Sequence, residues 1–106
     1  MKRINYDNNK IEIITEKKKL FSKEIREKIL TILIDEIASI RKDIFQNQLN
    51  SMLIVRKDET EEFITAEELK EPQELQNLYN FLFNKKDEKN YDVFEIDIET
   101  LEMKKL

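Results

Sequence analysis

Apolar side chains recur every three to four residues between Ser22 and Asn47, the longest periodic stretch in the chain. This spacing matches the 3.6-residue turn of an α-helix and would align the apolar residues in one stripe. Ser22 is a candidate N-cap, and Glu24 near the start and Arg41 near the end agree with the helix dipole. The pattern predicts one long amphipathic helix over residues 22–47. Its stripe comprises Ile25, Ile29, Ile32, Leu33, Ile37, Ile40 and Ile44.

Two further apolar residues, Leu30 and Ile34, widen this stripe beyond what a surface helix needs. A wide stripe contacts more than one neighbour, and two interpretations remain open. Either a second helix of the same chain covers Leu30 and Ile34, or these residues form the interface of a homodimer.

Shorter segments of the chain carry the patterns of β-strands. Residues 3–6 and 10–14 alternate polar and apolar side chains around an Asp-Asn-Asn turn, which predicts a β-hairpin. The continuous apolar run 52–55 indicates a central strand, and 62–65 indicates a shorter one. Residues 91–99 alternate with a period of two, and 101–103 would add a last short strand.

A second helix is predicted over residues 72–85. Thr65 and Glu68 match a capping box, and Pro72 suits the first turn of a helix but not its interior. Its apolar stripe comprises Leu75, Leu78, Tyr79, Leu82 and Phe83, with Phe81 beside it.

These elements predict a single α+β domain over residues 1–106. Their order, ββαββαββ, implies a mostly antiparallel sheet with one long and one shorter helix packed on one face. The inner part of that order, βαββαβ, is similar to the ferredoxin-like plan. This likeness concerns architecture and carries no function with it.

The composition excludes several kinds of chemistry. The chain contains no glycine, and therefore no glycine-rich phosphate loop, dinucleotide-binding turn or nucleophile elbow. It contains no cysteine and no histidine, which removes disulfides, thiolate nucleophiles and the commonest general base and metal ligand. No catalytic residue set or cofactor motif is recognised, and no cofactor is expected.

The charge balance argues against direct nucleic-acid binding. The chain has 19 basic and 23 acidic residues with a formal net charge of -4, and the two signs are interspersed. The N-terminal segment lacks an apolar targeting region, and no run approaches the length of a membrane span. We therefore expect a cytoplasmic protein without a membrane contact, which also fits the absence of cysteine.

One carboxylate series near the end of the chain is a candidate metal site. Glu95, Asp97 and Glu99 would share one face of the predicted strand 91–99, opposite Phe94 and Ile96. Such oxygen ligands could hold Mg²⁺ or Ca²⁺. The alternative is the solvent-exposed outer face of an edge strand, where charges prevent unwanted pairing.

The densest acidic region follows residue 57. An acidic loop and helix start could occupy the basic groove of a partner, as a phosphate backbone would. Its candidate partner-binding residues are Asp58, Glu59, Glu61, Glu62, Glu67, Glu68, Glu71 and Glu74.

The leading functional hypothesis is accordingly a small non-enzymatic factor of inhibitor, immunity or accessory type. It would bind a protein partner, such as a nucleic-acid enzyme, through the acidic region. The first alternative is a structural homo-oligomer assembled through the long helix. A third hypothesis is a Mg²⁺-dependent enzyme that uses carboxylates.

Overall fold

The computed structural model describes residues 1–18 and 25–106 of the chain. Within these ranges the chain forms eight strands in two sheets, one α-helix and two 3-10 turns. The predicted cap Ser22 and the nearby Glu24 lie outside the described residues.

The first sheet has three antiparallel strands, β1 (Lys2–Tyr6), β2 (Lys10–Lys18) and β3 (Ile25–Leu33), in that order. The predicted hairpin is confirmed as β1 and β2. The Asp7 carboxylate closes its turn by accepting hydrogen bonds from the backbone N–H groups of Asn9 and Lys10. These two bonds lower the pKa of Asp7 and stabilise the turn without a glycine.

The second sheet has five strands in the order β6-β5-β4-β7-β8. These are β4 (Ile37–Phe45), β5 (Gln48–Arg56), β6 (Glu61–Thr65), β7 (Asp92–Asp97) and β8 (Met103–Lys105). β4 and β7 are parallel, and the other neighbouring pairs are antiparallel. The run 52–55 lies within β5, between β6 and β4, so the predicted central strand is confirmed.

The predicted long helix is wrong. Its described part consists of β3, a 3-10 turn (Ile34–Glu36) and β4, so that one stretch contributes a strand to each sheet. The strand-forming preference of its β-branched residues outweighs the helix-like spacing. In β4 the pairing with β5 shifts between Ile37 and Ser39, and such a bulge lets residues three apart both face the core. Ile37 and Ile40 are accordingly both buried, at a spacing that imitates a helix.

The predicted fold class, with two helices on a sheet in the order ββαββαββ, is wrong for the same reason. The described residues are mostly strand, in two sheets, and contain one α-helix. This helix, α1 (Gln73–Lys89), agrees with the predicted second helix but ends at Lys89 rather than Lys85. Asn90 ends it in the left-handed conformation, which asparagine tolerates.

The capping box of Thr65 and Glu68 is confirmed at a 3-10 turn (Ala66–Glu68) ahead of α1. The Thr65 side chain accepts from the Glu68 N–H at 3.3 Å, and the Glu68 carboxylate accepts from the Thr65 N–H at 2.9 Å. Burial opposes the charged form of Glu68, but the Thr65 N–H and Lys2 together lower its pKa. This turn directs the chain from the edge of the second sheet into α1.

One hydrophobic core joins the two sheets and α1. It contains Ile11 and Ile32 of the first sheet, Ile40 and Ile54 of the second, and Leu78 of α1, all at most 1% exposed. The first sheet contacts α1 directly, since the Tyr6 and Phe81 ring centroids are 4.7 Å apart. The first sheet and α1 therefore bury the same face of the second sheet. Among the described residues, no helix is long and apolar enough to cross a bilayer.

Candidate functional site

The second sheet buries one face and leaves the other partly accessible to solvent. Ile40, Ile54 and Val93, which pair across β4, β5 and β7, are at most 1% exposed on the buried face. On the opposite face, Phe63 is 49% exposed and Met103 is 61% exposed. We call this second surface the open face. It comprises Ser39, Arg41, Asp43, Ser51, Leu53, Val55, Glu61, Phe63, Thr65, Asp92, Phe94, Ile96, Met103 and Lys105.

Pairing between strands aligns the open face in rows that cross the sheet. One row runs Phe63, Leu53, Arg41, Phe94, Lys105 from edge to edge. The next row runs Thr65, Ser51, Asp43, Ile96, Met103. Arg41 and Asp43 are two residues apart on the central strand β4, so both side chains point to this face. They lie at the middle of a mixed surface, with the apolar side chains of Leu53, Phe94 and Ile96 beside them.

Arg41 and Asp43 form a bidentate ion pair. Arg41 Nε donates to Asp43 Oδ1 at 2.7 Å, and Nη2 donates to Oδ2 at 3.1 Å. Ser51 Oγ donates to the same Oδ2 at 2.9 Å. The hydrogen bond from Arg41 to Asp43 raises the pKa of the arginine, and Asp43 and Glu61 add to the rise by charge attraction. The guanidinium is therefore held in one orientation on the sheet.

Exposure differs sharply between the two partners. The Asp43 side chain is 6% exposed, while that of Arg41 is 36% exposed. The two hydrogen bonds from Arg41 to Asp43 use Nε and Nη2, which leaves the Nη1 amino group for another acceptor. A fixed arginine between Leu53 and Phe94 combines apolar contact area with directed donors, as in binding hot spots of protein interfaces.

Comparison with known proteins identifies no relative of this chain. No protein-family model, no curated protein and no solved structure matches the chain. Functional inference therefore depends on the surfaces of this chain alone.

Several of the predicted acidic residues take part in internal contacts. Glu62 lies 3.3 Å from Arg56, and Glu68 lies 3.0 Å from Lys2 in addition to its capping bonds. Glu74 accepts from the backbone N–H of Ile4 at 3.3 Å and so connects α1 to the first sheet. These three carboxylates help to hold the fold together.

The remaining predicted acids lie at opposite ends of β6. Asp58 and Glu59 are exposed in the turn before the strand and Glu61 at its first residue, and Glu67 and Glu71 are exposed after it. β6 has five residues, which separates the two groups by roughly 17 Å. Thr60 donates from its hydroxyl and its backbone N–H to Asp58, and these bonds lower the pKa of Asp58. The structure thus brings the eight predicted residues into two groups rather than one patch.

The carboxylates of β7 do not form the expected series of three. Glu95 is 16% exposed on the face toward α1 and lies 3.5 Å from Lys42 and 3.1 Å from Lys104. Asp97 accepts from the backbone N–H groups of Glu99 and Thr100, so Glu99 belongs to a turn instead of the strand. In the described parts of the chain, no group of three or more carboxylates could hold a metal ion.

Leu30 and Ile34, the predicted homodimer contacts, face the interior. Ile34 is 1% exposed within the core, and Leu30 is partly buried against it. The excess apolar width of this stretch is therefore explained by packing within the chain. Ile34 therefore offers no surface to a second copy, whereas Leu30 remains partly accessible.

The sequence carried one unused signal for the open face. Arg41 and Asp43 stand at a spacing of two, which aligns side chains on a strand but separates them by about 200° around a helix. The prediction of a helix over residues 22–47 concealed this pair. Once β4 is known to be a strand, the pair and its apolar neighbours follow from the pairing with β5 and β7.

Proposed function

We propose that this chain is a non-enzymatic protein-binding factor of the cytoplasm whose partner docks on the open face of the second sheet. The observation that supports this function best is the orientation of Arg41, fixed by Asp43 at the centre of that face. The expected partner is a protein surface with an apolar patch and a carbonyl or carboxylate oxygen that accepts from Arg41 Nη1.

The energetics of the ion pair support a recognition role. Removing two charges from water costs free energy, and apolar residues of similar volume often stabilise a protein as well or better. The Asp43 side chain is nevertheless only 6% exposed, and it fixes an Arg41 side chain that stays 36% exposed on the open face. A partner that uses the guanidinium would account for retaining the pair.

Exposed acids at the border of the open face suit an inhibitor, immunity or accessory type of factor. Glu61 pairs with Val55 in the row beside Arg41, and Asp58 and Glu59 extend from the adjoining turn. A basic groove, such as that of a nucleic-acid enzyme, would meet these charges at the rim of the apolar contact. The acids would accelerate and orient binding, while Arg41 and its apolar neighbours at the centre would supply most of the affinity.

The decisive experiment compares two phenylalanine substitutions on opposite sides of the molecule. Phe63→Glu places a charge on the open face, and Phe83→Glu, the matched control, places one on α1 at a site that is 36% exposed. Proteins captured from source lysate by the wild type and by Phe83→Glu, but not by Phe63→Glu, are then purified. We expect Phe63→Glu and Arg41→Ala each to weaken binding of the purified partner at least about tenfold.

Equal binding by wild type, Phe63→Glu and Arg41→Ala would exclude the open face. Charge reversal at Glu59 and Glu61 distinguishes the two parts of the proposal. Loss of binding in that variant alone would assign the partner to the acidic turn, whereas a reduced association rate with a similar dissociation rate fits a rim role.

Self-association is the second candidate function. The observation that favours it is the position of β3 at the border of the first sheet. β3 pairs with β2 on one side and with no strand of the described residues on the other. A second copy would use this edge, since Ile34 lies in the core.

A further inference from the structure

Among the described residues, no strand pairs with the outer edge of β3, a nine-residue strand at the border of the first sheet. An unpaired edge of this length offers a row of backbone donors and acceptors to another strand, and natural proteins usually shorten, charge or cover such edges. Ile29 is 52% exposed and Leu33 is 44% exposed along it. Arg26, Glu27 and Lys28 charge the first half of this edge, whereas the apolar side chains of Ile29 and Leu33 do not protect its second half.

The backbone N–H and C=O groups of β3 point alternately to β2 and to the outer edge of the sheet. The Ile34 N–H donates to the Asn9 carbonyl at 2.9 Å, which identifies that pair as hydrogen-bonded in the antiparallel ladder. Because such pairs alternate, Lys28, Leu30 and Ile32 bond to β2, while Glu27, Ile29, Thr31 and Leu33 direct their N–H and C=O groups to the outer edge. The pairing of β1 agrees, since Glu16 of β2 donates to Met1 on the other side.

We propose that β3 pairs with β3 of a second copy of this chain, antiparallel and centred on Ile29, to form a continuous six-stranded sheet across the dimer. The inference rests on the second candidate function. Ile29 is the middle residue of β3 (Ile25–Leu33), so this register lets all nine residues of each strand pair. It also puts outward-directed backbone groups opposite each other at Ile29 and at the pair of Glu27 with Thr31.

Side-chain placement favours this register over its neighbours. Ile29 would face Ile29 of the other copy, Lys28 would face Leu30, and Arg26 would face Ile32, so no like charges are directly opposite. A shift that centres the pairing on Lys28 would oppose two lysines. A shift that centres it on Leu30 would shorten the overlap and replace the Ile29 pair by Ile29 with Thr31. The centred register therefore avoids like-charge repulsion and places the two Ile29 side chains in contact.

Charged substitutions at Ile29 test both the edge and the register. Ile29→Lys and Ile29→Glu each oppose like charges across the twofold axis, and we expect each to weaken dimerisation at least about tenfold in sedimentation equilibrium. Mixing the two variants should restore a heterodimer, because the introduced lysine of one copy faces the introduced glutamate of the other only if the strands are centred at this position. Ile98→Lys, at a site 38% exposed outside the first sheet, is the control that should leave the wild-type association unchanged.

Hydrogen exchange gives an independent measurement on the unmodified protein. The N–H groups of Glu27, Ile29 and Thr31 should exchange at least about tenfold more slowly at high than at low protein concentration. Those of Lys28 and Leu30 should change much less, because they bond to β2 in both states.

Each result decides a different question. A wild type that remains monomeric at hundreds of micromolar overturns both the pairing and self-association as a function. A wild-type dimer that persists in Ile29→Lys overturns the β3 interface but leaves self-association standing. A dimer lost in both single variants and not restored by mixing overturns the centred register.

Discussion

At the scale of single residues, the proposed binding surface has one ion pair, Arg41 with Asp43, at its centre. Asp43 is buried and accepts hydrogen bonds from Arg41 and from Ser51. These bonds replace the water that its carboxylate loses on burial. Arg41 remains accessible because its neighbours Leu53 and Phe94 flank it without covering it. We therefore expect Asp43 to act by holding Arg41 in place, and Arg41 to be the member of the pair that a partner contacts.

Replacing one or both members of the pair tests whether the fold needs it. Asp43→Leu leaves a guanidinium without its carboxylate, and we expect it to lower the free energy of unfolding by about 2 kcal/mol. The double variant Arg41→Leu with Asp43→Leu should lie within about 1 kcal/mol of the wild type, since both charges are gone. Urea unfolding measures both values. A double variant as unstable as the sum of the single variants would mean that the pair is needed for folding.

Tyr79 provides a second prediction at this scale, concerning alkaline pH. Burial raises the pKa of Tyr79 to about 12, and the nearby Glu95 carboxylate adds to the rise. The unfolded chain ionises this phenol near pH 10 and so binds fewer protons than the native state at higher pH. Its contribution to stability is complete below pH 10 and is lost as pH rises toward 12.

Tyr79→Phe isolates this titration from that of the lysines. The wild type should lose more free energy of unfolding than Tyr79→Phe between about pH 9 and 11, with a difference in slope of at most about 1.4 kcal/mol per pH unit. Urea unfolding at a series of pH values supplies the slopes. Equal slopes would mean that Tyr79 titrates alike in the folded and unfolded chains.

At the scale of elements, the corner between β3 and β4 decides the architecture. The 3-10 turn (Ile34–Glu36) lets one continuous apolar stretch leave the first sheet and enter the second. Ile34 points into the core at that corner, while the preceding Leu33 is 44% exposed on the other side of β3. Two adjacent apolar residues therefore have opposite roles.

Alanine substitutions at these two positions measure the difference. Ile34→Ala should lower the free energy of unfolding by about 3 kcal/mol, because it leaves a cavity in the core. Leu33→Ala should cost less than about 1 kcal/mol at its exposed position. Chemical denaturation provides the measurement. Similar losses at both sites would contradict the corner and favour a shared helical stripe.

At the scale of the whole molecule, the two sheets depend on one core. Ile11 of β2 and Leu78 of α1 belong to the same buried cluster although they come from different layers. Backbone bonds also join the layers, since the Lys70 N–H donates to the Lys2 carbonyl at 2.9 Å. Neither sheet buries its apolar face without the other.

This arrangement predicts unfolding in a single cooperative transition. Ile11→Ala and Leu78→Ala should each lower the free energy of unfolding by about 3 kcal/mol and so move the transition to lower urea concentration. Tyrosine fluorescence and far-UV circular dichroism should follow the same unfolding curve in each variant. A transition that splits in either variant, with one sheet melting first, would contradict the prediction of a single domain over residues 1–106.

Local patterns in the sequence predicted several elements correctly. The alternation around Asp7, the run within β5, the capping box of Thr65 with Glu68 and the stripe of α1 each depend on interactions between near neighbours along the chain. Such interactions are visible from spacing alone.

Only the tertiary structure decided whether residues 25–45 form a helix or two strands, because the spacing of their isoleucines suits both. Pairing with β2, β5 and β7 and a bulge near Ile37 settle the choice. β2 and β5 are the preceding and following strands in sequence, whereas β7 lies beyond α1. The candidate site follows from that choice, since Arg41 and Asp43 share a face only in a strand. The sequence by itself therefore determined the turn at Asp7, the capping box of Thr65 with Glu68 and the helix α1, whereas pairing between strands determined the sheets, the open face and the outer edge of β3.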